Sequence, residues 1–179
     1  MDFKVTTSFV LAVLTSVEAY TAKLETFNGC ASNGVLQCQL RVRKLNRTLS
    51  ALTGNVTLFV DLDDNFLTSF NGYHSPLGNN QYNLYAMKVP PITICNFMKN
   101  FWGDYYGYFV PYVATIEKPG VCPITARYLP FIDFLLDPAM FPPFVPTGTW
   151  KLVWRATDNS TGRFFSVEAV FKVFPDNFF

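Results

Sequence analysis

The chain has 179 residues, one histidine and a formal net charge of +1, and half of its residues are hydrophobic. Near-neutral charge leaves no electrostatic footprint for nucleic acid, which is therefore excluded as an expected partner. The unusual quantity is aromatic content, 19 Phe, 9 Tyr and 3 Trp, and these rings supply most of the candidate contacts.

The first element is a leader. Met1-Asp2-Phe3-Lys4 precedes an uncharged run from Val5 to Val17 whose apolar centre, Phe9 to Leu14, is too short to span a bilayer. Val17-Glu18-Ala19 places small or β-branched side chains where a signal peptidase looks, so residues 1–19 are expected to be a signal peptide cleaved after Ala19. Removing 19 of 179 residues leaves 160, the size of one domain able to bury ~70% of its unfolded surface. No later run has the ~18 apolar residues of a membrane helix, so the mature domain, 20–179, is expected to be soluble, secreted and extracellular.

Leu36, Cys38, Leu40 and Val42 alternate with Gln37, Gln39, Arg41 and Arg43, the period of a strand with one buried and one wet face. Val56, Leu58, Val60 and Leu62 repeat it. Gln81 to Val89 and Tyr112 to Ile116 are weaker strand candidates, stopped by Pro90-Pro91 and Pro119-Gly120. Ile94, Phe97, Met98, Phe101, Trp102, Tyr105 and Phe109 recur three and four apart, which predicts a short helix from Ile94 to Phe109. The segment from Pro130 to Pro146 carries five prolines and only two charges, Asp133 and Asp137; it reads as a loop, yet is as apolar as a core. Near the end, Trp150, Leu152 and Trp154, then Phe165, Val167, Ala169, Phe171 and Val173, form two alternating runs about the polar stretch Asp158 to Gly162, a β-hairpin. Recurrent strands with turns between them predict an all-β sandwich or barrel-like domain with one short helix.

The four cysteines, Cys30, Cys38, Cys95 and Cys122, fit two disulfides in an oxidising compartment. Three pairings are open; Cys30–Cys38, flanking the turn-like Ser32-Asn33-Gly34, with Cys95–Cys122, tying the helix to a later strand, is the favoured one. Asn46, Asn55 and Asn159 each begin an N-x-S/T acceptor for N-linked sugar.

Catalytic chemistry is hard to assemble. His74, the single histidine, sits in a turn-rich stretch and reads as solvated. With the cysteines oxidised there is no Cys-His nucleophile pair and no zinc set, and no G-x-S-x-G, H-E-x-x-H or phosphate loop occurs. Asp61, Asp63 and Asn65 imitate a calcium loop whose sixth position is Phe66 and twelfth Gly72, neither of which fits. The expectation is a non-enzyme with no metal and no cofactor.

Apolar loops need cover, since loop backbone seeks water. The candidates are the protein's own interior, a lipid-like ligand, a partner protein or a membrane surface.

Thr26 to Cys30, Cys38 to Val42 with Arg47, Ile94-Cys95-Asn96-Phe97-Met98-Lys99-Asn100, Cys122-Pro123-Ile124 and Pro146-Thr147-Gly148-Thr149-Trp150-Lys151-Leu152 together resemble a large insect family of secreted domains of unknown function. That family is similar to the chemosensory B proteins and, through them, to the GM2-activator and MD-2-related lipid-recognition proteins. The resemblance implies a β-cup, two sheets opened at one end around an apolar cavity, with the helix from Ile94 and the segment Pro130 to Pro146 at its rim. It implies the Cys95–Cys122 bond. It also implies an apolar small molecule, a lipid or hydrocarbon, and a part in contact-pheromone perception. The chain departs from GM2-activator-like proteins in having no cysteine after Cys122.

The expected lining is Phe97, Phe101, Trp102, Phe131, Phe134, Leu135, Phe141 and Phe144. The alternative is an interaction module whose proline-rich segment docks on a receptor or channel ectodomain, without a lipid.

Overall fold

The computed structural model describes residues 20–142 and 144–175, with the side chain of Met87 left out. The leader read at 1–19 lies outside the described residues. Eight strands and two short helices follow in the order β1 (Tyr20–Ser32), β2 (Leu36–Lys44), β3 (Ser50–Leu58), β4 (Phe66–Ser75), β5 (Asn83–Thr93), α1 (Ile94–Asn100), α2 (Trp102–Phe109), β6 (Arg127–Leu135), β7 (Gly148–Asp158) and β8 (Phe164–Pro175). The strands form a five-stranded sheet, β1-β8-β7-β4-β5, and a three-stranded sheet, β2-β3-β6, all pairs antiparallel. The fold is an all-β sandwich, not a barrel.

Both favoured disulfides are present. Cys30–Cys38 joins β1 of the larger sheet to β2 of the smaller one, with a Cα separation of 5.8 Å. Cys95–Cys122 ties α1 to a loop rather than to a strand; the loop continues into Ile124, which pairs with Leu62 in an isolated two-residue bridge.

Several expectations are corrected. The helix is two, broken at Phe101, where φ is −125°. In α1 the Thr93 hydroxyl accepts from Asn96 N–H at 3.3 Å, a true N-cap; α2, with two glycines and no side-chain cap, buries none of its residues. Tyr112 to Ile116 forms turns instead of a strand, and the second expected strand runs earlier, from Ser50 to Leu58. The proline-rich segment is not wholly a loop, because Arg127 to Leu135, including Pro130, forms β6. Nor do Pro90 and Pro91 stop β5. Both strands lie at sheet edges, where a residue lacking N–H loses no second ladder. In β5 the two prolines fall at the register shift between the partners of Thr68 and Phe70.

The buried core is divided. One cluster holds Val35, Leu36, Leu58, Leu62, Phe66, Ile94, Ala156 and Phe165, and another holds Ala22, Leu24, Leu52, Phe134, Trp150, Phe171 and Val173. They occupy opposite ends of the same strands: Ala156 and Phe165 pair at one end of the β7-β8 ladder, Trp150 and Phe171 near the other.

Candidate ligand site between the sheets

Between the two buried clusters lie inward positions that are only half-buried. On β7 and β8 these are the cross-strand pairs Trp154–Val167 and Leu152–Ala169, with Phe70 of β4 opposite Trp154. On the smaller sheet they are Cys38–Val56 and Leu40–Gly54, with Leu129 and Phe131 of β6 completing the same rows. The side chains there are small where the strands are central: Ala169 on β8, Gly72 on β4 opposite Leu152, and Gly54 on β3. No charged side chain belongs to this belt.

A run of rings crosses from one sheet to the other by way of the helices. Trp154 stacks on Phe70 with centroids 5.4 Å apart, and Phe70 on Phe97 of α1 at 5.0 Å. Phe97 approaches Trp102 at 6.4 Å, Trp102 meets Phe109 at 5.3 Å, and Phe109 of α2 stacks on Phe134 of β6 at 4.7 Å. Such contacts each contribute about 0.5–1.5 kcal/mol beyond their buried area. The Trp102 indole N–H donates to the Glu117 carbonyl at 2.7 Å, fixing the ring that joins the two helices.

The expected lining residues are thus partly assembled. Phe97, Trp102, Phe131 and Phe134 belong to this run, with Phe131 edge-on to Phe134 at 6.4 Å. Phe101 is 38% exposed and stacks on Phe97 at 6.1 Å. Leu135 pairs with Ala51, one residue out of phase with Phe134 and Leu52, and so faces the other side. Phe141 stacks on Phe171 at 4.7 Å, closing the cluster around Trp150, and Met140 and Val145 pack there too. Phe144 is 88% exposed. The apolar side chains of the proline-rich stretch are therefore covered mainly by the protein's own interior, apart from Phe144 and Ile132, the latter 67% exposed.

The sequence alone does not bring Phe70, Leu152, Trp154 and Ala169 together; register does. The Trp150-Leu152-Trp154 alternation was the available signal. His74 is not solvated as its turn-rich sequence suggests: it lies in β4, is 9% exposed, stacks on Trp150 at 4.5 Å and bonds the Thr147 carbonyl through Nε2 at 2.9 Å. Asn46 and Asn159 are exposed and Asn55 is on the outer face of the smaller sheet, so all three acceptors reach solvent.

Residues 68–152 match the model of a family described as a protein of unknown function, DUF1091. The match runs from β4 through both helices and the proline-rich segment into β7, just under half of the chain. No curated protein matches the chain. Among the described residues no helix is long and apolar enough to cross a membrane, and no group of three or more potential metal ligands occurs.

Proposed function

We propose that this domain is a secreted, non-enzymatic binding protein that holds an uncharged, elongated apolar molecule, a lipid or hydrocarbon, between its two sheets. The observation that carries the reading is the divided core: the end rows of both sheets are buried, while the middle rows, lined by small and aromatic side chains, keep solvent-accessible surface. The middle-row side chains pack against the two buried clusters, Cys38, Val56, Trp154 and Val167 against one and Leu40, Phe131, Leu152 and Ala169 against the other; the surface they leave accessible is where an apolar guest would lie, adding contacts to a half-buried belt. At ~25 cal/mol per Å², a chain burying a few hundred Å² gains several kcal/mol before ordering costs.

Two further features support it. No buried side-chain polar atom among the described residues lacks a hydrogen-bond partner, so the interior makes no polar demand on its guest. The weakly anchored α2, none of whose residues is buried, rests Phe109 on Phe134 of the smaller sheet, and a guest would enter beside it. Two disulfides fit an oxidising compartment. The likeness to chemosensory B and GM2-activator-type proteins extends the reading to perception of a contact signal.

A second reading rests on exposed rings and chains: Phe144 at 88% and Leu77 at 84% stand out from the surface as anchors for a receptor or channel ectodomain. Native mass spectrometry of the protein secreted from eukaryotic cells separates the two. The ligand reading expects co-purified lipid and saturable uptake of a fluorescent fatty-acid probe, unchanged in Phe144→Asp. Absence of both, with receptor binding lost in Phe144→Asp, supports docking instead.

A further inference from the structure

The outer face of the larger sheet carries a hollow of about 490 Å³, within the range of small-molecule sites. Its floor is β1, β8 and β7, at the positions that alternate with the inward belt: Lys151 follows Trp150, and Glu168 precedes Ala169. One wall is the β4–β5 turn. The turn is held by Asn79, whose Oδ1 accepts from Gln81 N–H at 3.2 Å and from the Ser75 hydroxyl at 3.3 Å. Asn80 and Tyr82 project from that wall into the lining.

The lining is preorganised. The Lys151 ammonium lies over the rings of Tyr73 and Tyr82, 5.2 and 4.9 Å from their centroids, and 3.9 Å from a Glu168 carboxylate oxygen. The other Glu168 oxygen accepts from Asn28 Nδ2 at 2.5 Å, which leaves the Asn28 carbonyl oxygen directed away from that bond. Glu25, ion-paired with Lys23 at 3.5 Å, and Lys172 add one charge of each sign to the lining. Burial, and next the charge of Glu168, raise the pKa of the Tyr82 hydroxyl, which stays an O–H donor at neutral pH.

This donor set selects among ligand classes. A phosphate or carboxylate meets Glu25 and Glu168; an organic cation meets Lys151 and Lys172; an apolar chain strips water from these charged groups and returns no hydrogen bond, a desolvation cost. A neutral molecule bearing several hydroxyls, each both donor and acceptor, satisfies both signs at once. We propose that this hollow is a binding site for a neutral saccharide, with Asn28, Glu168 and Lys151 reading ring hydroxyls and Tyr82 at the edge of the sugar. The site faces away from the interior, so it stands whether or not a lipid is held between the sheets.

The test is an amide chemical-shift titration of the intact mature domain with glucose, galactose, mannose and N-acetylglucosamine, their disaccharides, an N-glycan attached to a peptide, inorganic phosphate and choline. Expected is saturable movement of amides at Asn80, Tyr82, Lys151 and Val170 with at least one neutral sugar. Glu168→Ala and Asn28→Ala, each retaining a dispersed spectrum, then weaken the response about tenfold, as loss of a hydrogen bond to a charged partner predicts. If Glu168→Ala disturbs the fold, Asn28→Ala gives the same readout. Response to the glycopeptide but not to free sugars identifies a glycan chain as the source, and response to free disaccharides identifies a soluble sugar. No movement with any sugar, movement unaffected by both variants, or a stronger response to phosphate or choline overturns the proposal.

Discussion

At Gly54, in the centre of the smaller sheet, φ is +131° and an added Cβ would lie 2.0 Å from the Gln39 carbonyl oxygen. Neither the backbone of β2 nor the left-handed conformation yields cheaply, so Gly54→Ala is expected to destabilise the domain by about 1–3 kcal/mol or more, read from urea unfolding. Asp158 governs the turn of the C-terminal hairpin. Its carboxylate accepts from the Ser160 hydroxyl at 2.7 Å, from the Thr161 hydroxyl at 2.5 Å and from Ser160 N–H at 2.8 Å. Those bonds, the Ser160 hydroxyl first and the Thr161 hydroxyl next, lower its pKa from 3.8 to about 2. A lowered folded value means that the stabilisation is complete above the unfolded pKa and is lost as pH falls through the window from 3.8 to about 2. Thermal melts of the wild type should therefore drop more steeply across that window than those of Asp158→Asn, and parallel curves would refute the assignment. The hairpin was legible at this scale because Asp158 to Gly162 is turn chemistry between two alternating runs. His74 was not, because its neighbours Asn71, Gly72, Ser75 and Pro76 read as a turn although the strand runs through to Ser75.

Among the elements, the two disulfides act at different places. Cys30–Cys38 fixes the corner where the sheets meet, and Cys95–Cys122 holds α1 to the loop beside Leu62. The second closes a span of 27 residues, and on a chain-entropy argument its removal costs about 3–4 kcal/mol. A Cys95→Ser/Cys122→Ser double variant should lower the denaturation midpoint accordingly while the β-sheet circular dichroism persists; an unchanged midpoint contradicts that role. Strand β2 is readable because one face is apolar and the other polar without interruption, and β7 and β8 because their inward faces are unbroken rows of apolar side chains, although Val153 and Val170 interrupt the polar side. Strand β1 was not, since bulges after Leu24 and Phe27 shift its inward positions to Ala22, Leu24, Phe27 and Cys30, which is not a period of two. Strand β4 hid for another reason: its inward face carries Thr68, Gly72 and His74, and its outward face Leu67 and Tyr73, so polarity does not follow the pleat. Strand β6 reads as loop in the sequence because proline argues against a ladder, an argument that holds for central strands and fails at an edge.

For the molecule as a whole, the run of rings between the sheets is half legible in the sequence. Phe97 and Trp102 followed from helical spacing, and Phe131 and Phe134 from the apolar density of their segment. The inner wall contributed by β4, β7 and β8 could be located only when register placed Phe70, Leu152, Trp154 and Ala169 side by side. What decides the account is whether the middle rows enclose space or are filled. Ala169→Leu adds bulk at the centre of that belt, between Leu152 and Phe27. In a filled core the added carbons cost about 1–3 kcal/mol of overpacking. In a hollow they find room and displace the guest instead. The most direct measurement pairs urea unfolding of Ala169→Leu with uptake of a fluorescent fatty-acid probe: the account predicts stability equal to or above that of the delipidated wild type and at least a tenfold loss of probe affinity, whereas a destabilised variant of a wild type that takes up no probe would contradict it.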